Sequence, residues 1–293
     1  MKRIFFQTSK GKISILYFPN PDKKKPVIHW SHANGFNALA YKKFLTKLST
    51  YYHVYAWDAR GHGKTNLNAN FKDNLFETFD DDLQKILIFL NKKHEKKIIC
   101  AGHSFGATLS LISANKKSNI IEKILLVDPV IFTIKLKYLS KMARLLKFKK
   151  PKNLYLSKNA LKRKNNWLSE EEIINAYKNK KFFQNWDLNS LKNYISDGII
   201  KTDKKIKLRC SPELESKIFE ESENLILSKV INNLTLPTYL YLAEYNSPCF
   251  AKKNFEKNKN VKKVFTINNS DHFFPITKSN LFTKILFKDL EIE

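Results

Sequence analysis

Hydrophobic positions along the chain fall into two alternating patterns. Short runs rich in β-branched and aromatic residues occur at Ile13–Phe18, Val27–Trp30, His53–Trp57, Lys97–Ala101, Lys123–Val127, Thr238–Leu242 and Lys262–Thr266. Each reads as a strand, and their near-continuous apolar character is that of strands covered on both faces. Between them, Leu39–Ser49, Phe76–Lys92 and Phe105–Lys116 carry the periodicity of helices. Asp80–Asp82 lie toward the start of the second helix, where the helix dipole favours negative charge. Strands alternating with helices predict an α/β fold with a mostly parallel central sheet flanked by helices. No internal repeat is evident.

The alternation stops after Asp128-Pro129 and resumes near Leu236-Pro237. The intervening sequence is Lys-rich and helix-like, with Trp167, Tyr177, Phe182, Phe183, Trp186 and Tyr194 spread through it. No Pro/Gly/Ser-rich linker bounds it, so it reads as a helical cap inserted before the last two strands. The expected division is a core of residues 1–130 and 234–293 and a cap of residues 131–233.

Composition narrows the function classes. With 43% hydrophobic and 27% charged residues among 293, the chain lies outside the disordered regime. It has no apolar stretch of about 18 residues that could span a membrane, and the start MKRIFFQTSKGK turns polar before a signal-peptide core could form. The expected compartment is the cytoplasm. Cys100, Cys210 and Cys249 are odd in number and lack CxxC spacing, so they read as reduced structural residues. The net charge of +26 points toward nucleic acid. Only Arg3, Arg60, Arg144, Arg163 and Arg209 among the 53 basic residues are arginine, however, and the bidentate Arg fork is what base and phosphate recognition favours. The lysines are spread along the chain and read as a solvated surface; no specific nucleic-acid partner is expected.

The candidate chemistry centres on Gly102-His103-Ser104-Phe105-Gly106, preceded by an apolar strand and followed by a helix. A sharp strand-to-helix turn needs residues without bulk two positions to either side of the serine, and such an elbow presents the hydroxyl at a helix N-terminus. Ser104 is therefore the candidate nucleophile. A serine hydroxyl needs a base. His272, on the loop between the last expected strand and the final helix, lies at the same carboxyl edge of the sheet and is the candidate among seven histidines. His103 flanks the nucleophile and is expected to point away, His32 and His62 to organise loops, while His29, His53 and His94 have no supporting context. The developing oxyanion needs N–H donors. Those expected are the amide of Phe105 and, from the loop Ser31-His32-Ala33-Asn34-Gly35-Phe36, that of Asn34, with Ala33 the fallback.

His32-Ala33-Asn34-Gly35, Trp57-Asp58-Ala59-Arg60-Gly61-His62-Gly63, Gly102-His103-Ser104-Phe105-Gly106, Val127-Asp128-Pro129 and Asp271-His272, in that order, resemble the α/β-hydrolase superfamily over the whole chain. Leu191–Gly198 and Lys207–Glu215 further resemble a bacterial subgroup of capped hydrolases with largely unassigned substrates. The resemblance implies a Ser–His–acid hydrolase acting on carboxylic esters, without metal or organic cofactor. A serine at the elbow speaks against the dehalogenase and epoxide-hydrolase branches. The chain departs from the pattern at the acid: the loop Leu242-Ala243-Glu244-Tyr245-Asn246-Ser247-Pro248 has Asn246 where an aspartate is usual. Asp128, at a position some branches use, is the expected acid; Glu244 is the other local candidate, and Asp271 is too close to His272 in sequence to meet its ring.

The expected function is hydrolysis of a small or medium ester, thioester or related acyl compound through Ser104, His272 and Asp128, in a pocket walled by cap aromatics. An amide or peptide bond is the alternative bond type. The alternative from another class is a ligand-binding or sensor protein that has lost the triad acid.

Overall fold

The computed structural model describes residues 1–133, 156–203 and 205–291. Its strands are β1 (Lys2–Thr8), β2 (Gly11–Phe18), β3 (Val27–Ser31), β4 (His53–Trp57), β5 (Ile98–His103), β6 (Ile121–Val127), β7 (Ile199–Lys201), β8 (Ile206–Leu208), β9 (Thr238–Ala243) and β10 (Val261–Ile267). Eight of them form one sheet in the order β1-β2-β4-β3-β5-β6-β9-β10. The β1–β2 and β2–β4 pairs are antiparallel and every other pairing in this sheet is parallel.

Side chains alternate across the sheet, and both faces are buried. Ile28, Trp30, Val54, Ala56, Ile99, Ala101, Leu125 and Val127 join one apolar cluster, with Phe44 of α1 (Lys42–Leu48) and Phe282 of the C-terminal helix Ser279–Asp289. Val27, Tyr55, Trp57, Ile98, Cys100, Ile124 and Leu126 join the other, with α2 (Leu75–His94) and α3 (Phe105–Lys116). In α2 the buried Leu75, Phe76, Phe79, Leu83, Ile86, Leu87 and Leu90 recur at helical spacing, and Asn74 caps the helix by accepting the Glu77 N–H.

Three local expectations differ. β1 adds an antiparallel edge strand that the hydrophobic pattern does not mark; its burial is partial and irregular because only one neighbour covers it. The stretch expected as one helix over Leu39–Ser49 divides into a 3₁₀ turn, Ala38–Tyr41, and α1, because the Asn37 side chain accepts the Ala40 N–H and tightens the first turn. Between β6 and β9 the described chain is not wholly helical. Besides α4 (Leu156–Leu161), α5 (Glu170–Lys178), α6 (Leu188–Asp197) and α7 (Pro212–Asn224), it contains the small antiparallel pair of β7 with β8. This segment is tied to the N-terminal strands by Arg3, which pairs with both Asp58 and Asp197.

Cys100, Cys210 and Cys249 are all buried and unpaired. Burial pushes the thiols of Cys100 and Cys249 up to about 12, which keeps them protonated and inert. No helix among the described residues is long and apolar enough to cross a membrane.

Candidate active site

The carboxyl ends of β5, β6 and β9 and the loop after β10 converge on Ser104. At the β5–α3 elbow Ser104 has φ 58° and ψ −121°, a conformation that costs on the order of 1–3 kcal/mol and persists only where the surroundings impose it. The glycines on either side explain how the turn closes. A Cβ on Gly102 would meet the Gly106 carbonyl at 2.5 Å, and one on Gly106 would meet the Ser31 carbonyl oxygen at 2.3 Å. α3 thus sits directly against β3 and β5, and the hydroxyl is carried to the helix N-terminus.

His272 Nε2 lies 2.9 Å from Ser104 Oγ, and its Nδ1 lies 2.6 Å from Asp128 Oδ2. Asp128 follows β6, has φ 47° and is fully buried. A carboxylate can only accept, so the Nδ1 proton points at Asp128 and Nε2 is left to accept from the serine hydroxyl. The other carboxylate oxygen, Oδ1, accepts the Ser247 hydroxyl at 2.5 Å and the Ala243 N–H at 3.2 Å. A buried charge held by three donors keeps its position. The β9–β10 loop supplies Ser247, whose hydroxyl holds the Asp128 carboxylate; no local sequence signal marks this residue. Glu244 accepts the Asn269 N–H, whereas the His272 ring nitrogens are bonded to Asp128 and Ser104. Asn246 lines the cavity beside Ser104.

Among the described residues the amides of Asn34 and Phe105 have no hydrogen-bond partner. The Ala33 N–H is engaged by the Tyr41 hydroxyl at 3.1 Å, which removes the fallback donor. The Asn34 side chain is fixed by donation from Nδ2 to the Glu215 carbonyl at 2.9 Å.

Three further histidines, His103, His32 and His62, help to hold this edge of the sheet. His103 does not point away from the site: its Nε2 donates to the His272 carbonyl at 2.8 Å, while its Nδ1 accepts from the Tyr41 hydroxyl at 2.7 Å. A single chain of hydrogen bonds therefore runs from the Ala33 amide through Tyr41 and His103 to the His272 backbone, linking the loop after β3 to the loop after β10. Such a chain between residues far apart in sequence has no one-dimensional signature. His32 accepts the Ala59 N–H at 3.0 Å and donates to the Ala33 carbonyl at 2.7 Å, and His62 accepts the Gly35 N–H at 3.2 Å, so both order loops as expected.

Burial disfavours the charged form of these rings. The pKa of His29 falls to about 3, with desolvation the main cause and His32 adding to it. His62 and His103 are also held well below the usual imidazole value, chiefly by burial and then by the neighbouring His32 and His272 respectively. As pH falls below about 6.5 the unfolded chain takes up protons at these rings and the folded one does not, so stability is lost toward acid. The slope approaches about 1.4 kcal/mol per pH unit for each ring. We expect the urea midpoint to fall markedly between pH 7.5 and pH 5; an unchanged midpoint would contradict the burial of neutral imidazoles.

Ser104 and His272 open into a cavity of about 290 Å³. Its wall is dominated by Phe36, Phe132, Phe182, Phe219, Phe250 and Phe273. Of the six aromatics that stand out in the sequence between residues 131 and 233, Phe182 alone lines this cavity among the described residues, because the others pack against one another and against Phe36. No group of three or more metal-ligating side chains occurs among the described residues.

An elbow serine, an eight-stranded mostly parallel sheet and these loop positions define the α/β-hydrolase class. The sequence profile of the serine aminopeptidase S33 family matches residues 22–189, and the chain belongs to this family of α/β-hydrolases. Comparison with curated proteins by sequence finds no match. Among solved structures, E-2-(acetamidomethylene)succinate hydrolase is similar, with TM-score 0.73 and 14% identity over 99% of this chain and 100% of that one. The thioesterase domain from the curacin biosynthetic pathway has TM-score 0.72 and 13% identity, over 98% and 99%. N-Formylmaleamic acid deformylase from Pseudomonas putida S16 has TM-score 0.67 and 15% identity, over 97% and 99%. At these identities the likeness speaks for the fold.

Proposed function

We propose that the protein is a serine hydrolase of small or medium carboxylic esters, thioesters or related acyl compounds, with the described part of residues 131–233 forming a cap over its site; the rest of that expected cap lies outside the described residues. The observation that carries this reading is the chain Ser104–His272–Asp128 beside two unengaged amides, opening into an apolar cavity. In the proposed reaction Ser104 Oγ attacks the carbonyl carbon as His272 Nε2 takes its proton, and the Asp128 carboxylate stabilises the imidazolium. The Asn34 and Phe105 amides hold the oxyanion. Collapse of the tetrahedral intermediate expels the alcohol or thiol, which receives the proton from His272. Water then attacks the acyl-enzyme with His272 as base, releasing the acid and restoring Ser104. The similar thioesterase and succinate hydrolase structures support acyl chemistry on this fold.

The test is turnover of 4-nitrophenyl esters from acetate to decanoate. Each methylene buried against the phenylalanine wall is worth up to about 0.8 kcal/mol, roughly fourfold in kcat/KM. We expect a rise with chain length to a medium-chain optimum and a decline once the cavity is full. Cleavage of 4-nitroanilides with no cleavage of any ester would favour the amidase or peptidase alternative; inertness toward both would favour a binding protein.

A further inference from the structure

Beyond Phe36, Phe182 and Phe219, which line it too, lies a second cavity of about 310 Å³ with a different chemical character. Its polar lining comprises Arg163, Lys180, Tyr177, Tyr194, Asn159 and Glu215. Glu215 is common to both cavities, so the two are adjacent rooms with a shared wall.

The charges in this second room do not balance. Arg163 pairs with Glu215 and donates from Nη2 to the hydroxyls of Tyr177 (3.1 Å) and Tyr194 (3.0 Å). Tyr194 in turn donates its proton to the Gly35 carbonyl at 3.2 Å, which commits it. Tyr177 accepts from Arg163, and its own proton has no acceptor among the described residues. Lys180 stands with its ammonium 4.7 Å over the Tyr177 ring and makes no ion pair among the described residues. With two cations against one carboxylate, the lining carries an excess of one positive charge. Partial burial first, and the Arg163 charge second, work against the Lys180 ammonium, and an anion placed here would offset them. An uncommitted phenol proton, an unpaired ammonium and the Asn159 amide facing one space constitute a donor set for a single carboxylate.

We propose that this second cavity is a carboxylate subsite, and that the substrate is an ester or related acyl compound bearing a free carboxylate separated from the scissile carbonyl by a short apolar spacer. The spacer lies along Phe36, Phe182 and Phe219, and the carboxylate sits against Lys180 and the Tyr177 hydroxyl. This inference rests on the reading of Ser104 as the nucleophile, and its test separates the two.

The probes are mono-4-nitrophenyl adipate, with the carboxylate on the acyl side, and 6-acetoxyhexanoate, with it on the alcohol side. Their neutral counterparts are 4-nitrophenyl hexanoate and hexyl acetate. We expect at least one acidic ester to exceed its neutral counterpart about tenfold or more in kcat/KM, mainly through KM, and this ratio to collapse at least about fivefold in Lys180→Met. Lys180 is an exposed residue outside the apolar core, so this variant is expected to fold. If neither acidic ester is preferred, or if Lys180→Met leaves the ratio unchanged, the subsite is wrong while the hydrolase reading stands. If no ester is cleaved at all, the hydrolase reading fails and the subsite is judged by calorimetry with adipate. Binding weakened about tenfold by Lys180→Met supports it, and binding that is absent or insensitive to the variant overturns it.

Discussion

Ser104→Ala is expected to reduce kcat for any ester the protein cleaves by at least about 10⁴-fold, equivalent to roughly 5.4 kcal/mol of transition-state stabilisation. The magnitude follows from the geometry. Removing Oγ deletes the atom that joins His272 Nε2 to the mouth of the apolar cavity, so covalent catalysis is lost and only binding and the two amides remain. Folding is preserved, because Ser104 holds the elbow through its backbone: its N–H donates to the Val127 carbonyl at 2.9 Å, and its carbonyl accepts from Ala107 and Thr108. Alanine also relieves no packing, since the side chain faces the cavity. Thermal unfolding within a degree or two of the parent, together with the kinetic loss, is the expected pair of results. A variant that retains turnover within about tenfold would show that another group attacks the carbonyl.

The second large effect is expected of Asp128→Asn. Asparagine is isosteric and still accepts from Ser247 and Ala243, so the loop remains in place. Its amide, however, turned toward His272 would present a donor to Nδ1, driving the proton to Nε2 and leaving the imidazole unable to accept from Ser104. Nor can it stabilise the imidazolium. In the serine-protease triad the corresponding change of aspartate to asparagine lowers kcat by roughly 10⁴, and a comparable loss in kcat is expected here. Glu244→Gln is the control, with an expected change within about tenfold, because Glu244 is bonded to Asn269 rather than to the base. The reverse outcome, with Asp128→Asn retaining turnover within about tenfold (~1.4 kcal/mol) and Glu244→Gln losing it, would move the acid to Glu244.

Which features can be read from the chain depends on how local their physics is. The parallel strands are visible because both faces are buried and each is a continuous apolar run, as in Val27-Ile28-His29-Trp30. The edge strand Lys2–Thr8 is not, because it has a single neighbour and keeps Lys2, Phe5 and Gln7 exposed. The hairpin between α6 and α7 is hidden by its size: Ile199–Lys201 and Ile206–Leu208 are too short to establish a period of two. The elbow needs small residues at fixed offsets from Ser104, so it is readable in one dimension. His272 is accessible from its place after the last strand. The hold that Ser247 has on Asp128, and the relay from Tyr41 through His103 to the His272 carbonyl, join residues from separate elements. Such contacts exist only once the sheet is assembled, as does the excess positive charge around Lys180.

That Ser104 is a nucleophile activated by His272 is tested most directly by covalent labelling. The protein is treated with a fluorophosphonate, its intact mass is measured, and the modified residue is located by peptide sequencing. One adduct per chain is expected, on the peptide containing Gly102-His103-Ser104-Phe105-Gly106, attached to Ser104 and absent from Ser104→Ala. A chain that stays unlabelled, or an adduct that forms on another residue and persists undiminished in Ser104→Ala, would contradict the assignment.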